Sequence, residues 1–218
     1  MSEFTFWVIA SNLLLAARWT LLLSAVAFVG GGIGGMLLLV VRIGRFKPGQ
    51  QAARLFVELF QGTPLLMQLF LFFFGLPLIG VEASPWMAAA VCLTLYASAF
   101  LTEIWRGCVE AIPRGQWDAG KSLGLRHVMQ LRLVILPQAL RIAIPPTVGF
   151  LVQLVKSTAL ASIVGYHEMT RTAQILTNAT FQPFLIFGLV ALIYFAICFP
   201  LTYAARRLER RLGESLLR

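Results

Sequence analysis

Long apolar stretches alternate with short polar ones along this chain. Residues 21–41 carry no charged side chain, 55–79 carry only Glu58, 83–102 none, 134–155 only Arg141, and 184–205 none. A helix needs about 20 apolar residues to cross a bilayer core. The pattern therefore predicts five transmembrane helices in an all-α, polytopic membrane protein. The second span is punctuated by Gly62-Thr63-Pro64. Proline has no backbone N–H to give a helix, so the helix is expected to break there, leaving a separate short helix near 56–61. The two long hydrophilic excursions, 106–133 and 156–183, are where function is expected, together with the few polar groups inside the spans. No internal repeat, low-complexity tract or soluble linker is visible.

Composition agrees. The chain has 218 residues, 59% hydrophobic and 12% charged, with a mean hydropathy of +0.82. Soluble domains carry about twice that charged fraction. Cys92, Cys108 and Cys198 fit no metal or redox spacing and read as packing residues. The net charge of +9 does not point to nucleic acid, because the cations gather at the ends of apolar spans rather than on a soluble face. Residues 1–17 contain Glu3 and no Lys or Arg, so no cleavable signal peptide is expected.

The cations also predict an orientation. Arg42, Arg45, Lys47 and Arg54 fall on one side, as do Arg106, Arg114, Lys121, Arg126 and Arg132, and then Arg206, Arg207, Arg210, Arg211 and Arg218. Lys156 and Arg171 fall on the other, and Arg18 and Arg141 sit near span ends. The positive-inside bias places the carboxyl terminus in the cytoplasm, and five spans place the amino terminus outside.

Residues 110–132 read as two short helices. Pro113 suits a helix start, and Trp117, Ala119 and Leu123 are expected to form a partly apolar face. Gly124 can take the left-handed conformation that ends a helix. Such a helix, lying along the membrane surface, fits a groove in a partner; it also suits an ordinary connection between spans.

The pattern Asp118-Ala119-Gly120-x3-Gly124-x9-Val134-x-Leu136-Pro137 resembles the EAA loop of ABC importer permeases, Glu-Ala-Ala-x3-Gly-x9-Ile-x-Leu-Pro. Three positions depart: Asp for Glu, Gly120 for Ala and Val134 for Ile. The segments 57–66, 103–107, 112–117, 136–141 and 156–160 are similar to polar amino-acid permeases of the histidine/glutamate/glutamine/arginine group, which commonly carry Arg at the place of Gln61. The resemblance covers residues 16–207 as one transmembrane domain, with 110–132 as its cytoplasmic coupling loop. It implies a five-helix subunit of the cytoplasmic membrane that pairs with a second permease subunit, identical or homologous. Two cytoplasmic ATPases would bind the loop, and an extracytoplasmic binding protein would deliver an amino acid. Gly115, Asp118, Ala119 and Gly124 would couple to the ATPase, with Leu136 and Pro137 setting how the loop joins the fourth span. The chain is expected to lack a Gly-x4-Gly-Lys-Ser/Thr phosphate loop. It would then bind no cofactor itself and be no enzyme, with ATP and magnesium held by the partner.

Charges at bilayer depth cost about 2.5–3.5 kcal/mol on insertion scales, so they face a cavity or a partner. Glu58 either pairs with Arg54 or lines the route. Glu103 either pairs with Arg106, three residues on, or gates the inner mouth. Lys156 either meets a substrate carboxylate or snorkels to the interface. Gln153 and Ser157 are further pathway candidates. His167 and Glu168 do not make a His-Glu-x-x-His zinc site, since position 171 is Arg; they are expected to contact the binding protein or cap a helix. Gly30, Gly31, Gly34 and Gly35 allow close helix approach, within the subunit or between subunits. The cluster at 70–74 reads as lipid-facing or packing surface. A rival reading is an ATPase-independent secondary transporter or channel, which predicts pseudo-symmetric halves that are not found. An intramembrane enzyme would need catalytic pairs in the spans, yet His127 and His167 both fall in loops.

Overall fold

The structure, a computed structural model, describes residues 5–44 and 46–216, with side chains as far as residue 210. Glu3, Arg45, Arg218 and the Arg211 side chain, used in the charge argument above, lie outside the described residues.

Helix α1 runs Phe6–Ile43, 38 residues or about 57 Å. It begins well before the charge-free stretch at 21–41 because nothing in between breaks a helix. Arg18 is exposed, its guanidinium 5.2 Å from the Trp19 ring centroid. Helix α4, Pro85–Glu110, starts on a Ser84 cap whose hydroxyl accepts from the Met87 N–H at 3.2 Å. The glycines of α1 face α4. A Cβ on Gly31 would stand 2.4 Å from the Ala97 Cβ, and one on Gly34 2.4 Å from the Ser98 Oγ. Thr102 donates to the Gly35 carbonyl at 3.2 Å. The small-residue stripe therefore closes a contact within the chain.

Helices α2, Lys47–Gly62, and α3, Leu65–Leu78, meet at 106°. The expected break is present, but α2 is a full helix rather than a short piece at 56–61. Gln68, buried on α3, fixes the bend by donating to the Phe60 carbonyl (2.9 Å) and to Thr63 Oγ1 (2.8 Å).

Helix α5 spans Arg114–Ser122 and α6 His127–Gln130. A π-helical turn, Leu131–Ile135, then leads into α7, Leu136–Ser157, and a 3₁₀ turn, Thr158–Ser162. The wide turn has a local cause. Pro137 cannot donate to the carbonyl four residues back and its ring crowds it, and the Leu136 N–H reaches the Leu131 carbonyl instead. Helix α8, Met169–Thr180, and α9, Pro183–Leu216, complete the chain.

Four of these helices are long and apolar enough to cross a membrane, and the bent pair α2–α3 is a candidate fifth crossing. One core joins α1, α3, α4 and α7 around Leu23, Leu69, Leu93, Leu101 and Leu154; a second joins α1, α8 and α9 around Ile9, Leu13, Met169 and Ile186. Large apolar side chains such as Leu37, Leu71, Phe184 and Leu192 face outward along the spans. Exposed apolar surface on that scale fits hydrocarbon, not water.

Candidate functional site

Helix α5 has two faces. Gly115, Asp118, Ala119 and Ser122, at i, i+3, i+4 and i+7, are all exposed, and a Cβ on Gly115 would meet nothing within 4 Å. Asp118 pairs only with Lys121, 3.0 Å away on the same surface. Three of the four side chains are very small, so a partner's backbone can approach this face closely. Trp117 points the other way, into a small core with Val109, Ile112, Ile135 and Ala139. The expected apolar face of Trp117, Ala119 and Leu123 is therefore not formed: residues 117 and 119 project about 200° apart on a helix. Gly124 ends the helix with φ +71°. Its N–H donates to the Lys121 carbonyl at 2.9 Å and the Leu125 N–H to the Gly120 carbonyl at 3.1 Å, the paired bonds of a Schellman cap.

The inner face is stapled to the next span. Gln130, 2% exposed, donates its amide to the Trp117 carbonyl. A Cβ on Gly120 would fall 2.9 Å from the Gln130 Cγ, so the glycine leaves room for that side chain. The Trp117 and His127 rings stack with centroids 6.0 Å apart. Gln138 Nε2 donates to Gln116 Oε1 (3.3 Å) and to the Val134 carbonyl (2.8 Å). Leu136 packs against the same core, and Pro137 shapes the π turn beneath it. Gln130 was not singled out from sequence; no local pattern marks a contact that bridges thirteen residues.

One sequence expectation needs correction. Gly115, Gly120, Lys121 and Ser122 do spell Gly-x4-Gly-Lys-Ser. In a phosphate loop those residues follow a strand and leave their backbone N–H groups free. Here they form α5, and the described residues contain no strand. Lys121 is turned to Asp118, and Ser122 Oγ donates to the Asp118 carbonyl at 3.0 Å. The string is not a phosphate cradle.

The pathway candidates fall in three places. Glu58 accepts from Arg54 at 2.7 Å, both more than half exposed. Glu103 accepts from Arg106 Nε at 2.9 Å and from Arg42 of α1 at 3.3 Å, while Arg106 also reaches Glu110. This half-buried chain of charges ties α1 to α4 beside the α5 connection. Gln153, Lys156 and Ser157 share the last turns of α7. Ser157 Oγ donates to the Gln153 carbonyl (2.9 Å), and Gln153 Nε2 donates to the Tyr96 hydroxyl (3.3 Å) on α4. Lys156 lines a groove of about 670 Å³ between α7 and α9, whose wall includes Pro145, Gly149, Thr202, Arg206 and Glu209.

Glu168 proves to be a cap and a tie. It is fully buried at the start of α8, accepting from the Arg171 N–H (2.9 Å), Thr20 Oγ1 (3.1 Å) and the Tyr194 hydroxyl (3.2 Å). Burial pushes its carboxyl above the usual range. Tyr166, itself buried and near that carboxylate, is pushed up to about 12. His167 remains exposed. The three cysteines are buried and free, as packing residues should be. The described residues hold no cluster of His, Cys, Asp and Glu suited to a metal.

An all-helical membrane bundle carrying a stapled, exposed loop helix defines the class, and comparison places the chain within it. The family model described as binding-protein-dependent transport system inner membrane component matches residues 30–214, and the chain belongs to that family. It is 36% identical over 180 residues to the probable amino-acid ABC transporter permease protein YckA of Bacillus subtilis (strain 168), covering 83% of this chain and 80% of that one. It is 33% identical over 208 residues to the glutamine transport system permease protein GlnP of Escherichia coli (strain K12), covering 94% and 95%. Among solved structures, an amino acid ABC transporter crystallised with histidines superposes with a TM-score of 0.90 at 30% identity, covering 97% of this chain and 99% of that one. An inward-facing MetNI methionine ABC transporter shares the fold, with a TM-score of 0.69 at 23% identity over the same shares of each chain.

Proposed function

We propose that this chain is the membrane-spanning permease subunit of an ATP-driven importer of a polar amino acid in the cytoplasmic membrane. A separate ATPase, holding ATP and magnesium, docks on residues 110–132. The carboxyl terminus and α5 face the cytoplasm and the amino terminus faces outward. A second permease subunit completes the route, and an extracytoplasmic binding protein delivers the ligand. The named relatives transport amino acids or glutamine, which supports that substrate class.

The observation that carries the reading is the two-sided α5. Its exposed face of Gly115, Asp118 and Ala119 admits a close partner, while Gln130 of α6 and the Trp117 core fasten its other face to the continuous α6–α7 helix. Force applied to α5 then moves the span that carries Gln153, Lys156 and Ser157, instead of bending a loop. Access alternates as the spans reorient, and the amino acid drives the cycle only by binding the two states differently. Glu103, joined to Arg42 and Arg106, holds α1 and α4 together next to this moving unit, and Glu58 lies on α2 at the route's edge.

The test is reconstitution with the cognate ATPase and receptor in vesicles. Gly124→Asp forces a side chain into a left-handed position, and Asp118→Lys reverses a charge on the exposed face without touching the core. Each should lower uptake by roughly tenfold, the equivalent of about 1.4 kcal/mol of docking energy, while the chain still inserts. Uptake and ATPase copurification both unchanged in both variants would overturn the assignment.

A further inference from the structure

We infer that the seam between α1 and the α6–α7 helix is a binding site for one anionic phospholipid, in the leaflet on the side of α5 and α6. The upper part is a groove of about 480 Å³ walled by Phe28, Met36 and Leu39 of α1 and by Trp105, Leu136 and Val148 opposite. Its polar atoms are already satisfied: Trp105 Nε1 donates to Thr147 Oγ1 at 2.9 Å, and Thr147 donates to the Ala143 carbonyl at 2.6 Å. This stretch offers an occupant nothing but apolar contact.

Toward the end of α1 the same seam changes character. A second hollow, about 850 Å³, is walled by Val40 and Ile43 on one side and Arg126, His127 and Leu131 on the other. Leu39 and Val40 are neighbours in α1, and Leu131 and Leu136 lie little more than a turn apart, so the two hollows follow one line. Arg126 is exposed and takes part in no ion pair among the described residues.

From Phe28 to Ile43 the helix rises about 22 Å, against about 15 Å of hydrocarbon in one leaflet. The seam is therefore apolar through a leaflet's depth and ends at an unpaired cation. That is the complement of an acyl chain beneath a negative headgroup. The inference rests on the chain being membrane-embedded. Arg126 lies within the 110–132 loop assigned to the ATPase, and the test below reads the lipid on the full chain alone, so that its failure is distinguishable from a failure of docking.

The test places the full chain, with Trp105 as its sole tryptophan, in vesicles containing either dibrominated phosphatidylglycerol or dibrominated phosphatidylcholine, whose acyl bromines quench a contacting indole. Phosphatidylglycerol should quench Trp105 with roughly five-fold preference, the scale of about 1 kcal/mol per interfacial cation. Arg126→Gln should bring the two lipids to parity, and added salt should weaken the preference. Equal quenching by both lipids, or a preference that survives Arg126→Gln, overturns the site. Quenching by neither also overturns it, since protein then fills the groove. Should the single-tryptophan chain fail to fold, native mass spectrometry of the unaltered chain and its Arg126→Gln form decides: equal retention of phosphatidylglycerol refutes the proposal.

Discussion

Gly120 and Gly124 stand four residues apart and serve different needs. Gly124 is required by its own backbone, which no L side chain adopts without strain. Gly120 is helical and is required by a neighbour, Gln130. Replacing Gly120 with Ala should gain about 1 kcal/mol of helix propensity but drive the buried Gln130 amide off the Trp117 carbonyl, at about 1–3 kcal/mol. Gly120→Ala is therefore expected to destabilise the chain by about 1 kcal/mol alone, yet stabilise it by a similar amount in a Gln130→Ala background. Thermal unfolding of the four proteins in detergent measures the coupling, and additive effects would remove the staple. At this scale the sequence is legible where conformation is local. Gly124 announces its role by position, whereas Gln130 acts across a loop. The Gly-x4-Gly-Lys-Ser string shows the converse hazard: its spelling is visible, but only the helix around it says what it means.

Among the elements, the span at 184–205 lies within α9 and that at 83–102 falls in α4 from Pro85 on, because backbone polar groups in lipid are satisfied within a helix. Ends and joints were less legible. The extension of α1 back to Phe6, which no breaker prevents, is packed against α8 and α9 through Ile9 and Leu13, a contact that hydropathy does not encode. The π turn depends on Pro137 being tolerated inside a continuing helix. The α1–α4 contact is the most extensive among the described helices and permits a paired test. Gly31→Ala would press a methyl group 2.4 Å from the Ala97 Cβ, with the Ala97 backbone carbon 3.1 Å away and unable to yield. It should cost about 1–3 kcal/mol, the range for overpacking. Gly32→Ala, one residue on, meets only the Trp105 ring at 4.0 Å and should be neutral or slightly stabilising. Equal unfolding temperatures for the two variants would contradict the tight seam.

For the molecule as a whole, the least expected feature is that the end carrying the start of α8 is tied through a carboxylate. Glu168 joins α1, α8 and α9 through Thr20, its own cap and Tyr194, with Tyr166 and Arg171 beside it; Arg171 turns its guanidinium to Gln174, 3.2 Å away. From sequence it was one half of an exposed-looking His-Glu pair, and only the assembled fold buries it. The folded state holds the Glu168 proton more tightly than the unfolded chain does. Between the ordinary carboxyl value, about 4.3, and the raised folded value, the folded state therefore binds more protons, and stability must fall as pH rises. The contribution is complete below the ordinary value and is lost as pH climbs through the folded one. Glu168→Gln keeps an oxygen for the α8 cap and cannot ionise, so its unfolding temperature should stay flat across that window while the parent's declines. The two curves should converge at the acid end, and parallel curves would show that this carboxylate does not set the pH response of the tie between α1, α8 and α9.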